Sequence, residues 1–243
     1  MWNKPHLLMW LADLLYALAA ILLLYSVLFL VVHLPIFPLR QVVVNGQLNH
    51  LTREQVQYVV SRTLKGNFFT LDLDQARLAF EKLPWVRSAT VRRRWPDRLE
   101  VVLEEHEALA RWGNMALVDT KGELFQAASN KPLPVFIGEA GDEGEIARHY
   151  LTFKEELEPL KLALAQIVLS PRRAWEVRLN NGLVIELGRE QPDARLAKFV
   201  AVYDQTIAKI PGTVRYVDLR YPNGFAVRWP SVAGTAVGTG RRA

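Results

Sequence analysis

Between Asp13 and Arg40 the chain carries no formal charge, and the run from Leu14 to Val32 is almost entirely Leu, Ala, Ile, Val, Phe and Tyr. A helix of about 20 apolar residues satisfies its own backbone hydrogen bonds across a bilayer, whereas the apolar part of a cleaved signal needs only about 7 to 15. The stretch fits the longer template. Cutting after the one A-x-A triplet, Ala17-Leu18-Ala19, leaves the apolar run from Ala20 to Val32 at the new terminus, so the reading is an uncleaved anchor. Trp10, Tyr16 and Tyr25 suit interfacial positions, and Pro35 with Pro38 ends the helix.

Orientation rests on a weak asymmetry, because Lys4 and the α-amino group precede the span and Asp13 shares their side. The net charge of +5, from 30 Lys and Arg against 25 Asp and Glu, does not decide it. A following domain of about 200 residues is translocated largely regardless of its charge. The expectation is N-terminus inside and bulk outside, which in a Gram-negative cell means an inner-membrane protein with a periplasmic soluble part. The absence of cysteine suits an oxidising compartment and excludes disulfides, thiolate nucleophiles and thiolate metal sites.

After Arg40 the pattern changes to short elements. Val42-Val43-Val44 closed by Asn45-Gly46 reads as a strand and turn. Thr52 with Gln55 has capping-box spacing before a helix to about Leu64, and Asp72 with Gln75 opens a second helix that Pro84 ends. Val86 to Arg94, a Trp95-Pro96-Asp97 turn and Leu99 to Glu104 read as a hairpin, so the order is β-α-α-β-β. Farther on, a helix is predicted from about Ile146 to Leu160. A hairpin is predicted around Asn180-Asn181-Gly182, and a helix from Pro192 to near Pro211 with Leu196, Phe199, Val200, Tyr203 and Ile207 on one face. Two last strands, Val214 to Tyr221 and Phe225 to Trp229, flank a Pro222-Asn223-Gly224 turn, and the Gly, Ala and Thr tail is expected to be disordered.

Particular words in this order carry a resemblance. Gly66-Asn67-Phe68-Phe69, Leu71-Asp72-Leu73, Leu83-Pro84-Trp85-Val86 and Val91-Arg92-Arg93-Arg94-Trp95-Pro96-Asp97 come first. Ala110-Arg111-Trp112, Leu117-Val118-Asp119 and Gly122-Glu123-Leu124-Phe125 follow. Together they resemble the FtsQ/DivIB family of bacterial cell-division proteins, with Ala108 standing where the family usually has proline. The implied fold class is α+β: a single N-terminal transmembrane helix, a POTRA domain, and a second β domain of antiparallel or mixed sheet with flanking helices. The implied boundaries are a cytoplasmic N-terminus at 1–13, the transmembrane helix at 14–34, POTRA at 37–106, the β domain at 107–230 and the tail at 231–243.

The search for chemistry returns little. The five histidines, His6, His33, His50, His106 and His149, show no metal-ligand spacing, and no serine sits in a G-x-S-x-G. Glu104, Glu105 and Glu107 around His106 admit an acid-base reading, but a solvated strand end accounts for them more simply. The loop from Gly141 to Glu145 lacks the spaced ligands of a calcium loop. Arg92-Arg93-Arg94 beside Trp95 admits nucleic-acid contact, against which a solvated strand face or anionic headgroups explain the charge in an anchored, exported domain. Core or interdomain packing is the default for Trp85, Trp95, Trp112 and Trp175. The expectation is therefore a non-enzymatic protein with no cofactor, no metal and no nucleic acid.

Function is then sought in a surface. Alternation puts Val217, Leu219 and Tyr221 on one face and Phe225, Val227 and Trp229 on one face of the last strand. A last strand with no successor is a candidate edge for a partner strand, and periodicity leaves open whether its own domain or tail covers it. The resemblance implies more: a divisome scaffold at the division septum that binds FtsB, and through it FtsL, by this region. It implies Tyr221, Asn223, Gly224, Phe225, Val227 and Trp229 in the partner-binding edge, and Arg173 paired with a partner acid. It also implies a POTRA domain that aids recruitment through upstream division proteins. The alternatives are a POTRA-type chaperone or secretion adaptor and a membrane-anchored cell-wall enzyme.

Overall fold

The computed structural model describes residues 5–34, 37–210, 214–221 and 224–228. Asn223, Trp229 and the tail from 231 to 243 lie outside them. The chain divides into a unit from Met1 to Glu105 and a unit from His106 to Ala243.

In the first unit, helix α1 (Pro5–His33) contains a stretch, Met9–His33, long and apolar enough to cross a membrane, with none of it buried. Strand β1 (Gln41–Asn45) follows, then helices α2 (Arg53–Thr63) and α3 (Leu73–Glu81), then strands β2 (Val86–Arg94) and β3 (Arg98–Glu105). The β-α-α-β-β order read from the sequence is the order observed. Both predicted caps form: Gln55 N donates to Thr52 Oγ1 at 3.3 Å, the Gln55 side chain accepts from Thr52 N at 3.0 Å, and Asp72 accepts from Gln75 N at 3.0 Å. β3 lies central, parallel to β1 and antiparallel to β2. Its alternate residues Leu99, Val101 and Leu103 face Val59, Phe80, Val86 and Ala89, which closes the core between the sheet and the two helices.

Gly46 ends β1 with φ +144°, and a β-carbon there falls on the carbonyl of Leu103, so only glycine lets β1 close onto the central strand. At the same end of β3, the Glu105 carboxylate accepts from the amides of Asn49 at 3.0 Å, His50 at 3.1 Å and Leu51 at 3.0 Å, with His50 Nδ1 at 3.0 Å. Burial penalises the charged carboxylate, but these hydrogen bonds outweigh it and hold its pKa below the ordinary 4.5. The contribution is therefore complete above that value and lost as pH falls through the lower, folded pKa. Glu105→Gln leaves amide donors without their anionic acceptor and is expected to cost about 1–3 kcal/mol. Urea unfolding followed at pH 7 and in acid checks this, the variant losing its own deficit as the wild type weakens.

The second unit holds strands β4 (Ala108–Trp112), β5 (Ala116–Asp119), β6 (Leu124–Phe125) and β7 (Val135–Ile137), helix α4 (Glu143–Leu157), and strands β8 (Leu164–Leu169), β9 (Trp175–Leu179) and β10 (Val184–Gly188). Helix α5 (Pro192–Tyr203) and strands β11 (Tyr216–Asp218) and β12 (Ala226–Arg228) complete it. All nine strands form one mixed sheet in the order β12-β11-β10-β9-β8-β7-β4-β5-β6. The crossovers from β7 to β8 through α4 and from β10 to β11 through α5 are parallel, and the two helices pack side by side. Their apolar stripes, with Ile146, Phe153, Leu157, Leu196 and Phe199, cover Phe136, Ile167, Val177 and Ile185 of the sheet.

Two expectations need correction, one in each unit. Helix α5 stops at Tyr203 and is followed by a single 3₁₀ turn, Ile207–Lys209, so Ile207 is buried from outside the helix. In the first unit, Trp95 is not a core residue: it is 81 % exposed in the turn between β2 and β3. Trp85 and Trp175 are buried as expected.

Candidate partner-binding edge

β12 is the terminal strand of the nine-stranded sheet. It pairs antiparallel with β11 alone, in the register Tyr216 with Arg228, Val217 with Val227 and Asp218 with Ala226. Among the described residues no strand lies on its other side, so that flank carries backbone donors and acceptors open to another chain. β11 is itself held parallel to β10, in the register Ile185 with Val217. The last two strands therefore form a hairpin docked on the sheet through a buried β11, with Val217 fully buried and Leu219 6 % exposed.

The sequence alternation is realised in part. Phe225 and Val227 are half-buried and pack on the core, while Ala226 and Arg228 point the other way and are exposed. Tyr221 leaves the buried row of Val217 and Leu219 and is 58 % exposed. It opens onto a groove of about 630 Å³ walled by Leu219, Tyr221 and Phe225 on one side and by Ala194, Lys198 and Val202 of α5 on the other. A β-carbon at Gly224, on the groove's rim, meets nothing within 4 Å. The edge thus offers two kinds of contact at once, main-chain pairing along β12 and an apolar seat beside it.

The end of β11 is fixed electrostatically. Arg220 donates from Nε and from a terminal nitrogen to Asp218 at 2.9 and 2.7 Å, and its amide reaches the same carboxylate at 3.0 Å. These bonds from Arg220 hold the 5 %-exposed Asp218 carboxyl below its usual pKa, against the penalty of burial. The turn into Tyr221 is anchored by that fork together with the buried Leu219.

Arg173 lies in the turn between β8 and β9, in a left-handed backbone conformation with φ 62°. Its guanidinium reaches Asp142 at 2.6 Å and also Glu145, both at the start of α4, and its side chain remains 49 % exposed. Two of the three acids of the loop weighed for calcium are therefore spent on an arginine, and the third, Glu143, accepts from the Gly141 amide at 2.9 Å. β9 pairs with the end of β10, which runs parallel to β11, so this turn and the Tyr221 turn lie at the same end of the sheet.

The titratable groups weighed for catalysis are dispersed among structural partners. Glu104 pairs with Arg87 at 3.2 Å, Glu105 caps the loop at 49–51, and His149 meets Asp193 at 2.9 Å. One group that sequence spacing did not flag converges: ligand atoms of His106, Asp119 and Glu123 lie within 4.8 Å of one another. The Asp119 carboxylate there accepts from the amides of Lys121 and Glu123 at 2.9 and 2.8 Å and lies 2.8 Å from His106 Nδ1, while the His106 ring stacks on Phe125 at 4.2 Å. This set of bonds pins the β5–β6 turn. Also missed was the α5 wall of the groove: Ala194, Lys198 and Val202 recur every fourth residue, but mixed polarity hid them beside the stronger apolar face.

Comparison with known proteins places both units. The family profile described as "Cell division protein FtsQ/DivIB, C-terminal" matches residues 110–220, and the profile "POTRA domain, FtsQ-type" matches residues 37–106. The chain is 46 % identical to the cell division protein FtsQ of Nitrosospira multiformis, over 94 % of this chain and 99 % of that one. It is 42 % identical to FtsQ of Burkholderia pseudomallei over 94 % of each, and 35 % identical to FtsQ of Bordetella pertussis over 93 % and 92 %.

Proposed function

This chain belongs to the FtsQ/DivIB family of cell-division proteins, and on that premise we propose that it is a non-enzymatic scaffold of the divisome whose working surface is the β12 edge. The observation that carries the reading is the open flank of β12 beside the Tyr221 groove. An extended partner segment adds to the flank by main-chain pairing, and an apolar side chain of that segment seats between Tyr221, Phe225 and α5. The partner is FtsB, with FtsL bound through it, and the sites are Arg173, Tyr221, Asn223, Gly224, Phe225, Val227 and Trp229. An acid on the partner competes with Asp142 and Glu145 for the half-exposed Arg173. POTRA contributes recruitment through upstream division proteins.

The apolar helix fits a single transmembrane span, and the family is one of membrane-anchored division proteins. In this proposal the N-terminus is cytoplasmic and both folded units stand in the periplasm at the septum. Calorimetric titration of the full chain in nanodiscs with the periplasmic segment of FtsB and FtsL tests the reading. Saturable one-to-one binding is expected, and a folded chain that takes up no segment would contradict it.

A further inference from the structure

The helix-proximal end of the first unit joins features that neither the fold nor the partner edge requires. Asn67, 7 % exposed in the loop between α2 and α3, donates through its side-chain amide to the carbonyls of Val32 at 2.7 Å and Leu34 at 3.1 Å. Its Oδ1 in turn accepts from the amides of Phe69 and Thr70, both at 2.9 Å. The loop is thereby tied to the last turn of α1. The Phe68 amide donates to the Phe37 carbonyl at 2.9 Å, and the Phe37 and Phe69 rings meet edge to face at 5.1 Å, leaving Phe69 45 % exposed. Arg93 then reaches the carbonyls of Phe69 at 3.3 Å and Leu71 at 2.5 Å, two residues before the exposed Trp95. The β2–β3 turn is also joined to the chain leaving the helix, since the amide of Arg40 donates to the Asp97 carbonyl at 3.0 Å.

The span places this end in depth. Asp13 is the last charge before the uncharged run, and the rise of about 1.5 Å per residue from there to His33 comes to about 30 Å, the thickness of a hydrocarbon core. With Asp13 at one boundary, the carbonyls held by Asn67 fall at the other. Exposed at that level are two aromatic rings, Phe69 and Trp95, and a surplus of cations in Lys65, Arg92, Arg93 and Arg98, with Arg94 paired to Glu100 at 2.8 Å. Aromatic rings and basic groups are the residues that partition to a bilayer interface.

We propose that this end of the unit is a lipid-binding surface, with Trp95 and Phe69 seated among the headgroups and the Arg92–Arg94 run on the phosphates of anionic lipids. The inference rests on the membrane-anchored reading of α1. It assigns the arginine run and the exposed Trp95 to a phospholipid rather than to a protein or a nucleic acid.

The chain has no cysteine, so single nitroxide labels introduce no competing site. The full chain carrying Trp95→Cys, Phe69→Cys, Leu22→Cys or Gln47→Cys is reconstituted in vesicles of phosphatidylcholine with phosphatidylglycerol. Each label is read by its accessibility to oxygen against a water-soluble nickel chelate. Leu22 reports the span, and exposed Gln47, beside Gly46 at the far end of the sheet, reports water. The expected result is a several-fold higher oxygen-to-chelate ratio at 95 and 69 than at 47, falling at 95 when phosphatidylcholine alone is used. Ratios at 95 and 69 equal to that at 47, with 22 embedded, overturn the proposal and leave the anchor standing. A water-exposed label at 22 removes the anchor and this proposal together. Position 95 is the safer label, since a side chain already 81 % exposed is replaced without disturbing the core.

Discussion

Phe136→Ala is expected to destabilise the second unit by about 3–5 kcal/mol, against a total of about 5–15 kcal/mol for a domain of this kind. Phe136 is fully buried in a strand of three residues, and that strand lies parallel to β4 on one side and β8 on the other. Its ring packs on Tyr150 of α4 with centroids 5.3 Å apart. Truncation empties the point where the β4–β6 part of the sheet joins the β8–β12 part beneath α4, and so short a strand has few other contacts with which to hold register. Urea unfolding followed by tryptophan fluorescence checks the figure, and Trp175, 3 % exposed in the same core, supplies the signal. Retained stability within about 0.5 kcal/mol, the usual effect of a surface change, would show that the two parts of the sheet do not depend on this joint.

The second large effect falls on binding. Tyr221→Ala is expected to weaken association with the FtsB segment by about 2 kcal/mol or more, roughly thirtyfold, as truncation of an aromatic anchor in a pocket does. The isolated chain should unfold at the same urea concentration as the wild type, because a side chain 58 % exposed contributes little to the core. Phe225→Ala makes the useful contrast. That ring lines the same groove but also packs on the core, so its loss lowers affinity and stability together. Equal affinities for wild type and Tyr221→Ala would move the binding surface away from the groove.

Much of this arrangement is legible in the sequence. The caps at Thr52 and Asp72 and the hairpin turn at Asn180-Asn181-Gly182 are local devices, decided by residues within three or four positions of one another, and each formed where the spacing placed it. What escaped was decided at a distance. Val135-Phe136-Ile137 is too short to show a period, and it becomes a strand only because β4 and β8 flank it. Leu164 to Leu169 has no strict alternation, since its residues meet helices on one face and partial cover on the other. The edge position of the last strand was legible as a candidate from chain order, but its groove was not. That groove needs Ala194, Lys198 and Val202 from a helix whose strongest periodic signal points into the core. Trp95 departs from the core expectation for a related reason: a large aromatic in a turn is core only if another layer comes to meet it, and among the described residues it stays 81 % exposed.

The two proposed surfaces make separate demands on the same chain. The edge requires a rigid hairpin, which the Asp218 and Arg220 fork and the buried Val217 provide. The lipid-facing end requires a fixed height above the bilayer, which Asn67 provides by bonding to the last carbonyls of α1. Substitutions at one are expected to leave the other unchanged, since each lies within its own compact unit.

Strand addition at β12 leaves a residue-by-residue signature in amide hydrogen exchange. Exchange is followed residue by residue in the full chain, with and without saturating FtsB segment. Pairing predicts that amides of residues 224–228 slow sharply on binding, while those of β5 and β6 at the opposite edge of the sheet keep their rates. Tight binding that leaves 224–228 exchanging as before would rule out strand addition at β12 and place the partner elsewhere.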